Sequence, residues 1–245
     1  IGVAAILVSG VILKKTKAFS GKPAPFVMEL PPYHAPASSN VLHATWERGW
    51  SFIKRAGTII LASAVVLWFL QSFGIESGTL TMVEDNNTSL LASIGNAVAI
   101  LFKPLGFGDW KAAVATFTGL IAKENVVGTF GVLYGMAEVA ENGAEIWSAL
   151  AADYTALTAY SFMIFNLLCA PCFAAIGAIR REMNSAKWTW LSIGYLTIFA
   201  YAISFLVYQF GQFFLNKVWG VGTVAALIVL VGMLWLLFRK NKYDT

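Results

Sequence analysis

Apolar residues in this chain fall in long uncharged blocks separated by short polar clusters. The blocks are too long and too uniform to be the one-sided stripes of soluble helices. Tyr154–Ile179, Trp188–Asn216 and Val218–Phe238 carry no charge, and each is long enough to cross about 30 Å of hydrocarbon as a helix. Ala56–Ile75 just reaches that length. Ile1–Leu13 reads as the end of a further span, cut at its start and with no initiator Met or signal peptide ahead of it. No period typical of repeat architectures recurs along the chain.

Two segments depart from this pattern. Leu90–Phe102 is too short to span unaided. Trp110–Gly135 is long enough, but it contains Lys111, Lys123 and Glu124 together with Gly119, Gly128, Gly131 and Gly135. Short and glycine-interrupted spans are pointers to a transporter's substrate path. The bland alternative is a pair of interfacial or core helices. Leu30–Asn40, LPPYHAPASSN, breaks any helix: its prolines lack donors, and Ser38, Ser39 and Asn40 offer caps. Val41–Arg55 mixes Trp46, Trp50 and Phe52 with Arg48, Lys54 and Arg55, as a helix lying at a membrane surface would. Trp188 and Trp190 are further interface anchors.

Composition agrees. The chain is 58% hydrophobic and only 12% charged, about half the charge of a soluble domain. The net charge of +4 is therefore a topology signal and implies no nucleic acid. Lys14, Lys15, Lys17 and Lys22, then Arg48, Lys54 and Arg55, then Arg180, Arg181 and Lys187, and finally Arg239, Lys240 and Lys242 cluster beside the blocks and predict a cytoplasmic side that includes the C-terminus. Glu76, Glu84 and Asp85, and Glu138, Glu141, Glu145 and Asp153, mark outer loops; Lys217 is the exception. Leu90–Phe102 and Trp110–Gly135 lie between two outer loops, so together they cross an even number of times or re-enter. Asn86-Asn87-Thr88 matches a glycosylation sequon but reads better as a polar turn.

The stretch LLCAPCFAAIGAIRRE, Leu167–Glu182, carries the candidate chemistry. On a helix Cys169 and Cys172 would share a face, and Pro171 would release the carbonyl of Leu167. Three readings stay open: two small buried residues beside a kink, a thiol–disulfide pair as in a membrane oxidoreductase, or soft ligands for a transition-metal ion. Asn166, one turn earlier, could orient a ligand or bond across helices; the second fits better. Glu124, an acid in an apolar segment, is expected to face a partner or a water path.

Three motifs in order, PFVMELPPYHAP (Pro25–Pro36), IAKENVVGTFGVLYG (Ile121–Gly135) and the cysteine stretch, resemble the ferrous iron transport protein B family over nearly the whole chain. The resemblance implies an all-α, polytopic membrane fold with short or broken, re-entrant helices in a Gate region similar to that of nucleoside transporters. It divides the chain into the end of a central membrane region with a proline-rich linker (1–46), a second Gate region (47–183) and a terminal hairpin with a tail (184–245). It implies a permease region for Fe²⁺ in a bacterial plasma membrane, and no enzyme activity in this chain. GTP and Mg²⁺ would act in an N-terminal G domain, since no phosphate-binding glycine loop is present. That G domain, a first Gate region, the lipid bilayer, small cytoplasmic accessory proteins and further copies of the chain are the implied partners. The family's Gate thiol falls on Cys172, with Cys169 accessory where the family commonly has an aromatic or aliphatic residue. Glu124 joins them as an iron ligand, and Glu29 and His34 are exit-side candidates whose simpler role is to position the proline-rich segment. The rival reading is a secondary transporter of a nucleoside-like solute, which would need polar side chains converging at the midplane.

Overall fold

The computed structural model describes residues 1–16, 37–76, 79–83, 88–123, 125–136 and 143–240. The expectations for Glu29, His34, Glu124, Lys17 and Lys22 fall outside these residues. The described chain is overwhelmingly helical. Helix α1 is Gly2–Lys14 and α2 is Ser38–Ser72. A short antiparallel hairpin follows, β1 Phe73–Glu76 against β2 Thr79–Met82, with Phe73 opposite Met82. Then come α3 Leu90–Phe102, α4 Trp110–Ile121, α5 Asn125–Leu133, α6 Trp147–Asp153, α7 Ala156–Leu168, α8 Phe173–Met183, α9 Ala186–Asn216 and α10 Val221–Phe238.

By length and composition α9 and α10 can each cross a membrane, and α3 with α4 can do so only as one broken pair, bent by 96°. The short helix anticipated at Leu90–Phe102 is therefore present. Other expectations are corrected. Tyr154–Ile179 is not one span but α7 and α8, interrupted at Cys169–Cys172, because Pro171 cannot donate a helical bond and disfavours helical backbone at Ala170. Ala56–Ile75 is not a separate segment. It continues the amphipathic Val41–Arg55 stretch in one helix, α2, which ends at Ser72 because Phe73–Glu76 pairs as a strand. That pairing was not anticipated. Nor do Ser38, Ser39 or Asn40 cap α2: the cap is Ala37, without a side-chain bond.

Elsewhere the caps follow the chemistry of the sequence. Ser89 Oγ accepts the Ala92 amide at 3.1 Å, Asp109 Oδ1 the Ala112 amide at 2.9 Å and Thr155 Oγ1 the Thr158 amide at 3.3 Å, each satisfying a donor that the first helical turn leaves open. The end of α3 is closed by side chains from other helices. Leu101, Pro104 and Leu105 carbonyls accept from Tyr201 Oη at 2.9 Å, Gln209 Nε2 at 2.8 Å and Ser161 Oγ at 2.7 Å.

The core gathers Phe102, Phe107, Phe130 and Phe165 around buried Ala112, Ala113, Ala115 and Ala200. Small residues set the packing, as expected where lipid supplies no hydrophobic drive and close approach must do the work. Helix α7 lies antiparallel on α9, with Leu157 against Gly211 and Ser161 Oγ 2.8 Å from Ser204 Oγ.

The contacts define two ends. At the basic end, Lys15 Nζ reaches the Leu237 carbonyl and Arg239 donates to the Lys15 carbonyl at 2.9 Å, so α1 and α10 finish together. Helix α8 leads there through Arg180 and Arg181, and α9 starts there. At the opposite end, Tyr154 donates to Asp109 at 2.7 Å, Tyr134 to Asp153 at 2.5 Å and Lys111 to Asp153 at 3.1 Å. Helix α4 thus begins, and α5 ends, at this acidic end. Helices α4 and α5 therefore form a hairpin whose open ends lie together at this acidic end.

Candidate functional site

Two interruptions face each other inside the bundle. The first is the tip of the α4–α5 hairpin. Helix α4 stops at Ala122, whose backbone is extended (φ −153°, ψ 126°), and α5 starts at Asn125. The hairpin is zipped by Thr129 Oγ1 donating to Thr118 Oγ1 at 2.8 Å. The second is Cys169–Cys172, between α7 and α8. Cys169 (φ −63°, ψ 175°) and Cys172 (φ −60°, ψ 160°) are both extended. They do not share a helical face, contrary to the expectation from their spacing, because the residues between them are not helical. Cys172 instead caps the start of α8, with no side-chain cap bond.

Among the described residues, one hydrogen bond joins the two interruptions. Lys123, at the hairpin tip, donates from Nζ to the main-chain carbonyl of Asn166 at 2.6 Å. Asn166 lies in the last turn of α7, where carbonyls lack helical partners. The thiol of Cys169 lies 3.5 Å from the same oxygen. The carbonyl that finds an outside partner is therefore that of Asn166, one residue before the expected Leu167. The Asn166 side chain does not bond across helices either: its Nδ2 donates to Phe162 O within α7 at 3.0 Å.

The sequence marked Lys123 only as one of three charges within the Trp110–Gly135 segment. In the structure it sits in a turn, and its partner is 43 residues away. The signal available was a charged residue in an apolar run, which Lys123 shares with Glu124.

The C-terminal ends of α4 and α7 both finish at this junction, and α5 and α8 both start there. Helix C-termini and unwound carbonyls attract cations. Cys169 is buried, Cys172 half-buried, and both thiols are free. Beside the junction lies a cavity of about 820 Å³ between α3, α4, α7, α8 and α9. Its lining residues include Cys169 and Ala170, with Phe165 and Phe173, and also Arg180 and Trp190. Cys172 is not among its lining residues. The wall hydroxyls of Thr116, Thr189, Thr197 and Tyr201 each donate to a backbone carbonyl. Among the described residues no three His, Cys, Asp or Glu side chains converge as a metal cluster. The junction therefore offers sulfur, main-chain oxygen and one ammonium.

At the acidic end, the Tyr134 hydroxyl bond and then Lys111 hold the Asp153 carboxyl below its ordinary value. The Lys111 ammonium also sits over the Tyr134 ring, 4.0 Å from its centre. This network ties the hairpin to the start of α7. It was missed because it depends on three segments meeting in space.

Comparison with known proteins gives two matches to family models. One, described as the Gate family, nucleoside recognition, covers residues 53–186, and the other, the C terminus of ferrous iron transport protein B, covers residues 1–48. A protein named Fe(2+) transporter FeoB from Staphylococcus aureus strain COL is 35% identical over 210 residues, 86% of this chain and 30% of its own length. The protein of that name from Methanocaldococcus jannaschii is 37% identical over 217 residues, 86% of this chain and 31% of its own. That from Salmonella typhimurium strain LT2 is 30% identical over 291 residues, 99% of this chain and 37% of its own. The chain thus spans roughly a third of the length of these relatives. No solved structure matches it significantly.

Proposed function

Since the chain belongs to the ferrous iron transport protein B family, with a Gate segment over more than half its length, we propose that it forms part of the path by which the whole protein carries Fe²⁺ across the plasma membrane. The observation that carries this reading is the junction of the two broken elements, where Lys123, the Asn166 carbonyl and Cys169 meet. Such breaks place main-chain oxygens inside a bundle, where they can replace part of an ion's water shell. Thiolate sulfur favours a transition-metal ion over Na⁺, K⁺ or Mg²⁺. Cys172 and Cys169 supply sulfur on either side of Pro171, Glu124 supplies a carboxylate, and Glu29 and His34 receive the ion on the exit side.

The basic end faces the cytoplasm, so iron enters from the acidic end and leaves toward Arg180 and the proline-rich segment. Elsewhere in the whole protein, a G domain using GTP and Mg²⁺ biases the Gate between states. Accessory proteins and further copies of the chain act on the same membrane assembly.

A nucleoside-like solute is less well served. The cavity hydroxyls already donate to carbonyls, and a site built for a nucleobase would keep donors for it.

The test is radioiron uptake by cells lacking their own ferrous importer and expressing the whole protein. Cys172→Ser replaces a soft ligand by a poorer one of similar shape. It is expected to cut uptake sharply, Cys169→Ser less so, and Glu124→Gln to lower uptake at unchanged protein level. Wild-type uptake in all three variants would contradict the assignment of these ligands.

A further inference from the structure

Among the described residues, Lys123 is the one group at the junction whose charge has the wrong sign for a cation path. Its ammonium lies 2.6 Å from the Asn166 carbonyl, the oxygen that the Cys169 thiol also approaches at 3.5 Å. A main-chain oxygen at the end of α7, a neighbouring sulfur and the C-terminal end of a second half-helix make a place for a positive charge, and a positive charge is already there.

We propose that the Lys123 ammonium is a tethered stand-in for the transported cation: it occupies the Asn166 carbonyl when the path is empty, and an incoming divalent ion must displace it. The inference rests on reading the junction as an ion path. The displacement is physically available, because Lys123 is in a turn at the hairpin tip and is not buried, so its four-carbon stem can swing without unfolding α4 or α5. Its consequence is selectivity. A monovalent ion gains no more from the carbonyl than the ammonium it must expel, whereas a divalent transition-metal ion gains twice the charge and the sulfur. The stand-in also gives a strong donor to a carbonyl whose other contact is the weak donor thiol of Cys169 at 3.5 Å.

A tethered competitor raises the apparent KM of the ion it competes with. In the whole protein, Lys123→Met is expected to lower KM for Fe²⁺ roughly tenfold, the scale of one charge-assisted hydrogen bond. Lys123→Arg, which keeps a tethered cation, should stay near wild type. A purely structural lysine would give the opposite: less folded protein with KM unchanged or raised in Lys123→Met, and that result overturns the proposal. So does failure of both Lys123→Met and Lys123→Gln to accumulate in the membrane.

A second readout needs no transport. In a Cys172→Ser background, alkylation of Cys169 by N-ethylmaleimide is measured against Co²⁺ concentration, with Co²⁺ as the probe. Protection should set in at lower Co²⁺ when Lys123 is Met. Equal midpoints, or no protection in either protein, overturn the proposal. If wild type imports no iron while the midpoint still shifts, the iron reading fails and displacement of Lys123 stands.

Discussion

The carbonyl of Asn166 shows how much one atom can decide. It sits in the last helical turn of α7, and Pro171 prevents that helix from continuing, so the oxygen is available to whatever the fold brings near. The fold brings Lys123, from another element. The pair Ser161–Ser204 works similarly in the interface of α7 and α9. Ser161 Oγ also donates to Leu105 O at 2.7 Å, anchoring the turn after α3. Ser161→Ala is expected to destabilise the protein by about 0.6 kcal/mol, the average for such bonds between membrane helices, and by no more than about 1.7 kcal/mol, their maximum. Thermal unfolding in detergent checks it, and Ser204→Ala should cost less because Ser161 keeps its bond to Leu105. Gly106 is a sharper case. Its φ of +93° is a conformation that side chains rarely adopt, and a Cβ would strike the Tyr208 ring. Gly106→Ala should therefore lower yield and stability more than either serine change. At this scale the sequence disclosed the cysteines, the proline and the charged residues in an apolar run. It did not disclose their partners, because contacts between residues 43 apart follow from packing.

Broken elements are the working parts at the next scale. Pro171 marked the break between α7 and α8 in the sequence, and the glycines with Lys123 and Glu124 marked the interruption of Trp110–Gly135. The extent of each break was less legible. Helical spacing put the two cysteines on one face, while the backbone is extended at Cys169 and at Cys172 and non-helical between them. The β1–β2 hairpin and the continuity of α2 also escaped, since short polar and apolar runs fit either structure until tertiary pairing selects one. Pro171→Ala restores a donor and is expected to let α7 extend toward α8. Hydrogen exchange should then slow at residues 169–172, and unchanged exchange would show that the surrounding packing holds the break open.

The acidic-end network gives a pH dependence. The bond from Tyr134 and the ion pair with Lys111 lower the Asp153 pKa, so their stabilisation is present above its ordinary value and is lost as pH falls through the lowered one. The melting temperature of Asp153→Asn should be below wild type at neutral pH, and the difference should close in acid. The corresponding loss of stability should be no more than about 1 kcal/mol, because the Asp153 side chain is half exposed.

For the whole molecule the placement of charge was the most readable feature. Lys15 and Arg239, far apart in sequence, lie side by side at one end, and the Asp109 and Asp153 networks lie at the other. The proposed orientation puts the basic end in the cytoplasm. Single cysteines at Lys187 and at Glu141, treated with an impermeant maleimide on intact cells, should label only at Glu141. The reverse pattern would invert the path of the ion.

The central claim is that Fe²⁺ is held by sulfur at the junction of the two breaks. Iron-edge X-ray absorption on the whole protein loaded with Fe²⁺ under reducing conditions tests it most directly. The account predicts an iron–sulfur scattering shell that weakens in Cys172→Ser and disappears when Cys169 is also changed to Ser. A spectrum made only of oxygen and nitrogen ligands, unaltered by both substitutions, would contradict it.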